Sequence, residues 1–159
     1  MNLRPASPDD LPYIVQLEGK FRDLGFIGGD DLATHERQIS DPDCAYFVVH
    51  TEDGPAGSVI LRGLHSKNKS VELKRIVIAE PGQGLGRKVL AEIMRKAFCE
   101  HSAHRLWLDT FEDNTRARHV YRSLGFVEEG MLRECVKYEA RYRSLVLMSI
   151  LEHEYRARG

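Results

Sequence analysis

The chain has 159 residues, of which 42% are hydrophobic and 30% charged, a balance suited to one globular domain that buries about two-thirds of its unfolded surface. A formal net charge of −1 gives no electrostatic reason to expect nucleic acid as a partner. No apolar run approaches the length of about 18 residues that a membrane helix needs.

In chain order, Leu3-Arg4 reads as a short strand. Ser7 as N-cap, Pro8 at the first helical position and Asp10 as the capping carboxylate open a helix. Its apolar side is Leu11, Ile14, Val15 and Leu17, and it is expected to stop near Gly19. Residues 21–40 hold a Gly25–Gly29 break and a short helix over Leu32–Ile39; their apolar content is thin, which predicts a mobile surface lobe. Cys44–Val49 and Gly57–Leu64 flank the turn Glu52-Asp53-Gly54-Pro55 as a hairpin, and Val71–Ile78 is a third strand of the same kind. A helix from Gly86 to about Glu100 presents Val89, Leu90, Ile93, Met94, Ala97 and Phe98 inward. Arg105–Phe111 is a strand, and Thr115–Leu124 a helix closed by Gly125. Phe126–Tyr138 and Tyr142–Leu151 are two long strands around Glu139-Ala140. An early hairpin, a βαβ centre and a closing hairpin make an α/β fold with a mixed sheet in a single domain over residues 1–159. The closing hairpin leaves an edge on which a second copy can pair as a homodimer.

Cys44, Cys99 and Cys135 are isolated, without a C-x-x-C pair or a His at ligand spacing. They read as buried or half-buried free thiols in a reducing compartment. With no apolar signal core after Met1, the expectation is a soluble cytoplasmic protein. The seven His are scattered and form neither a metal pattern nor a triad.

The segment that carries chemistry is Val71 to Leu90, where a β-branched strand runs into Pro81-Gly82-Gln83-Gly84-Leu85-Gly86-Arg87-Lys88 and then a helix. Glycines let a ligand approach the backbone, and the unspent N–H groups of a first helical turn point at it, so this is an anion site for a phosphate or pyrophosphate. It is not the dinucleotide fingerprint: counting from Gly82 and Gly84, the third glycine falls on Arg87. Nor is it a P-loop, since Gly86 is followed by Arg87, Lys88 and Val89. An ordinary tight strand-to-helix turn is the bland alternative. The amides of Gln83, Gly84, Leu85, Gly86 and Arg87 are the proposed cradle, with Arg87 or Lys88 adding a charged contact.

These residues resemble the acetyl-CoA motif of the GNAT superfamily of N-acetyltransferases, Gln/Arg-x-x-Gly-x-Gly/Ala, with Gly84 and Gly86 at its two small positions. Pro81 departs from the pattern, because the family has Gln or Arg there. Asn114-Thr115-Arg116-Ala117, Tyr121 and Gly125-Phe126 resemble its second motif, and the closing Gly130–Glu134 and Tyr142–Met148 are similar to the ribosomal-protein-type and spermidine-type branches. The resemblance implies a GNAT-like mixed, mostly antiparallel sheet flanked by helices. It also implies acetyl-CoA as cosubstrate, no metal, and transfer of acetyl to a primary amine by direct attack. On the same basis the backbone of Ile76, Val77 and Ile78 holds the pantetheine arm, and a strand N–H steadies the oxyanion. Asn114 and Ala117 lie beside the cofactor, Asn114 also serving as N-cap, and Tyr121 protonates the leaving thiolate.

Glu72, six residues before Ile78, matches a point where some members carry a base. A carboxylate on an apolar strand also needs a task or a partner. Glu72 or a water therefore takes the amine proton, unless Glu72 is simply paired with Lys74 or Arg75. Asp109, with Glu112 and Asp113, can instead attract a cationic amine, a solvated charge cluster being the plainer account of the last two. The rival from another class is a non-catalytic CoA-binding or interaction module on the same fold. The acceptor is left open among N-termini, polyamines, amino acids, lysine side chains and drug-like amines.

Overall fold

The computed structural model describes all residues from Met1 to Gly159. In chain order the elements are β1 (Asn2–Pro5), a 3₁₀ turn (Pro8–Asp10), α1 (Leu11–Asp23), α2 (Leu32–Ile39), β2 (Cys44–Thr51), β3 (Gly54–Arg62) and β4 (Ser70–Ile78). There follow α3 (Leu85–Arg95), β5 (Arg105–Phe111), α4 (Thr115–Ser123), β6 (Val127–Tyr138), β7 (Arg141–Leu151) and α5 (Glu152–Ala157). The seven strands form one sheet in the order β1-β2-β3-β4-β5-β7-β6. Only β4 and β5 run parallel; the other five pairings are antiparallel. The mixed sheet is the one the element pattern predicts, and its mostly antiparallel pairing is what the family resemblance implies.

The main core lies on the α3/α4 face. All six residues assigned to the inner side of α3, from Val89 to Phe98, are buried against Val59, Leu61, Val71, Leu106 and Met148, each contributing about 1.5–3 kcal/mol for the larger side chains. The opposite face is covered by α1, with Leu11 and Ile14 on Tyr46 and Ile60, and Leu17 and Phe21 on Val77.

Three features differ from the sequence reading. First, α1 continues through Gly19 to Asp23. A mid-helix glycine costs about 1 kcal/mol, and burial of Leu17 and Phe21 on either side of it exceeds that. Second, only Cys44 is half-buried; Cys99 and Cys135 are exposed. Cys99 lies on the π-helical turn Lys96–Glu100 that ends the α3 segment, and Cys135 lies on the outermost strand. Third, α5 is too short to have a periodic signal and is held by Tyr155 stacked on Phe98 at 4.7 Å.

Residues 21–40 are anchored by polar contacts where an apolar stripe is lacking. His35 of α2 is fully buried, with Nδ1 2.8 Å from the Tyr46 hydroxyl and Nε2 2.9 Å from Glu18 Oε2. Periodicity cannot show such a clasp.

The feature that positions the site is a splay in the sheet centre. Strands β4 and β5 pair only at Ser70–Arg105, Val71–Leu106 and Glu72–Trp107. Immediately afterwards a bulge at Lys74, where Leu61 pairs with Leu73 but Ile60 with Arg75, re-aims β4. The C-terminal halves of the two strands then diverge and leave a cleft.

Candidate active site

The cleft has a volume of about 520 Å³ and is walled by the unpaired halves of β4 (Leu73–Ile78) and β5 (Leu108–Phe111). Ala79 donates its N–H to Ala56 O of β3 at 2.9 Å. Successive strand amides face opposite sides, so the N–H groups of Ile76 and Ile78 turn away from β3 and into the splay. Their main-chain groups are open to a ligand although their side chains are partly buried against the core.

At one end β4 delivers the chain into the glycine loop. Gly84 adopts φ 75° as the N-cap of α3, a left-handed conformation that a side chain would strain. It carries no side chain to cap the helix, and the first bond of α3 is Lys88 N–H to Gly84 O at 3.3 Å. The amides of Leu85, Gly86 and Arg87 are thus unspent and sit at the positive end of the helix dipole. Gly84 and Gly86 line the cleft; a Cβ on Gly84 would meet nothing within 4 Å. The loop therefore fits a bound pyrophosphate in space, charge and free donors.

Opposite stands α4. Asn114 caps it, its Oδ1 accepting from Ala117 N–H at 3.2 Å, and both residues line the cleft. Tyr121 lines it too, buried beside Phe126, and its phenol is pushed up to about 12 by burial and by the charge of Asp109. It therefore stays protonated and available as an acid at any physiological pH.

The sequence profile of the acetyltransferase (GNAT) family matches residues 12–126. The chain belongs to the GNAT family. It is an acetyl-CoA-dependent N-acetyltransferase. A spermidine N(1)-acetyltransferase of Escherichia coli K12 is 29% identical over 167 residues, spanning 99% of this chain and 89% of the relative. The spermine/spermidine N(1)-acetyltransferase of Bacillus subtilis 168 is 25% identical over 142 residues, spanning 83% of this chain and 91% of the relative. Among solved structures, the spermidine N-acetyltransferase of Vibrio cholerae in complex with CoA and spermine superimposes with a TM-score of 0.86 at 26% identity, covering 98% of this chain and 97% of that one. No helix of the GNAT chain is long and apolar enough to cross a membrane.

The cleft gathers most of the residues singled out from sequence: Ile76, Val77, Ile78, Gly84, Gly86, Arg87, Asn114, Ala117 and Tyr121. Gln83 and Lys88 are exposed and do not line the cleft, and Leu85 packs on the core. Arg87 also reaches across to Ser123 Oγ, tying the loop to α4. Arg116 was not foreseen. Its guanidinium lies 3.6 Å from where a Gly82 Cβ would stand, next to Pro81, the motif position that lacks its usual polar side chain. A cation in the first turn of α4 was the available signal.

At the other end of the cleft, Phe21, Phe26, Ile27 and Phe111 give an apolar wall. Of the cations there, Lys74 meets Asp30 at 3.0 Å and Arg75 lies 3.6 Å from Asp30 and 4.0 Å from Glu18. In the adjoining recess Arg143 meets Asp113 at 2.7 Å. Glu72 is buried and does not line the cleft; one of its oxygens takes both Arg62 Nε at 2.7 Å and Arg62 Nη2 at 2.6 Å. Its partner is thus Arg62, across the antiparallel β3 pair, in place of Lys74 or Arg75. Asp109 lines the cleft as an exposed side chain and has no ion-pair partner; partial desolvation in the wall and the charge of Glu72 raise its carboxyl above the ordinary value.

Proposed function

We propose that the acceptor is a polyamine of the spermidine type, acetylated on a primary amine. The observation that carries this reading is the combination of an apolar wall with the unpaired carboxylate of Asp109. A chain of methylenes ending in ammonium groups needs both, the apolar stretch for the methylenes and the carboxylate for the charge. The names of the Escherichia coli and Bacillus subtilis relatives point the same way.

In this reading the amides of Gln83–Arg87 hold the pyrophosphate, and Arg116 and Arg87 add charge. The pantetheine arm extends along β4 against Ile76, Val77 and Ile78, beside Asn114 and Ala117. A β4 amide facing the splay steadies the carbonyl oxygen as the amine attacks. The C–N bond forms, the C–S bond breaks, and Tyr121 protonates the thiolate. A carboxylate near the splay receives the amine proton, Asp109 from within the cleft or Glu72 through a water.

Release of CoA thiol from acetyl-CoA across polyamines, amino acids, N-terminal peptides and aminoglycosides, with product mass, tests the reading. Turnover highest on spermidine or spermine is expected; preference for a peptide or an amino acid would contradict it. The same reading includes a homodimer paired through β6, the outer strand, which exposes Val127, Met131 and Leu132. Sedimentation showing a monomer at micromolar concentration would remove that element.

A further inference from the structure

An ammonium cannot attack a thioester, and primary amines are largely protonated at neutral pH. A group that takes the proton must reach the nitrogen as it lies in the cleft; geometry comes before acidity. The two candidate carboxylates differ on this point. Glu72 stands outside the cleft wall and is held by Arg62 through one oxygen. Asp109 is in the wall, on the diverging half of β5, an exposed carboxylate that no side chain of the protein pairs with.

We propose that Asp109 is the catalytic group that accepts the proton of the bound amine, and that Glu72, clamped by Arg62, is a positioning residue that acts through Asp109. This inference rests on the amine occupying the cleft as proposed above. The ammonium gives one proton to the Asp109 carboxylate, which passes it to solvent. The freed lone pair forms the C–N bond while the C–S bond breaks. The second nitrogen proton leaves as the amide forms, and the thiolate takes one from Tyr121, which is reprotonated. The sum is one amide, one thiol and one proton released.

The charges facing Asp109 fit this division. Glu72 on β4 raises its proton affinity, Arg75 on β4 and Arg62 on β3 lower it, and Tyr121 on α4 remains a neutral phenol. A base with affinity above the ordinary carboxylate range accepts a proton more readily. Loss of the Glu72 charge should therefore lower the affinity of Asp109 for its proton, and the acid limb of activity should move to lower pH.

The test is kcat/KM against pH with spermidine and saturating acetyl-CoA for the wild type, Asp109→Asn, Asp109→Glu and Glu72→Gln, with the CoA Kd of each measured calorimetrically. Asp109→Asn is expected to lose about 100-fold or more at neutral pH and to lack the acid limb, with CoA binding kept. Asp109→Glu should restore the limb. Glu72→Gln should lose only severalfold and shift the limb downward. A limb that survives in Asp109→Asn but vanishes in Glu72→Gln overturns the inference and makes Glu72 the base. If Asp109→Asn loses CoA binding, the Glu72→Gln shift and the Asp109→Glu limb decide. A wild type that turns over other amines but not spermidine removes the polyamine reading instead, and the same variants are then judged on that amine.

Discussion

The two ends of the cleft are built by different means. The end proposed for the cofactor is mostly backbone: amides of a glycine loop at the start of α3 and the open edge of β4. The end proposed for the acceptor is mostly side chains, drawn from α1, the segment after it, β4 and β5, with ion pairs among Glu18, Asp30, Lys74 and Arg75. Backbone recognition depends on a few glycines in one short segment and tolerates change elsewhere. Side-chain recognition depends on residues far apart in sequence, and each can be exchanged to suit another amine.

Substitutions should separate the ends. Gly86→Leu puts a side chain into the cofactor floor, where a Cβ already stands 3.6 Å from Ile78. It should raise the CoA Kd by about 100- to 1,000-fold, or about 3–4 kcal/mol, by calorimetry; near-normal affinity would break the comparison. Tyr121→Phe keeps the ring that packs near Phe126 and should lower kcat about 100-fold with the amine KM little changed. Because that phenol is pushed up to about 12, against an ordinary value of about 10, loss of its proton should not reduce wild-type kcat below about pH 10.

At the acceptor end, Glu18→Gln alters a fully buried carboxyl that lies 2.9 Å from His35 Nε2 and 4.0 Å from Arg75. It should cost about 2 kcal/mol, read as a fall in Tm of roughly 4–8 °C, with CoA affinity retained at low temperature. Phe26→Ala trims a half-exposed wall residue and should raise the spermidine KM about fivefold, near 1 kcal/mol, without moving the CoA Kd. An equal loss of CoA binding would mean that the two ends are one unit.

What was legible in the sequence follows the same division. The inner face of α3 and the span Arg105–Phe111 could be read because period and local composition carry them. The glycine loop could be read because Gly84 meets a local backbone need. The His35–Glu18–Tyr46 clasp could not, since it joins residues 11 and 17 positions apart through polar atoms. The Arg62 partner of Glu72 belongs to strand register, which periodicity leaves unspecified. The bulge at Lys74 is likewise silent in a run of β-formers, yet it opens the splay and with it brings Asp109 to the cleft.

Amide hydrogen exchange with and without CoA tests most directly the claim that the cofactor is held by main-chain groups. New protection is predicted at the amides of Leu85, Gly86 and Arg87 and at Ile76 and Ile78, with Phe21–Ile27 unchanged until spermidine is added. CoA binding that leaves those five amides exchanging as before would contradict the account.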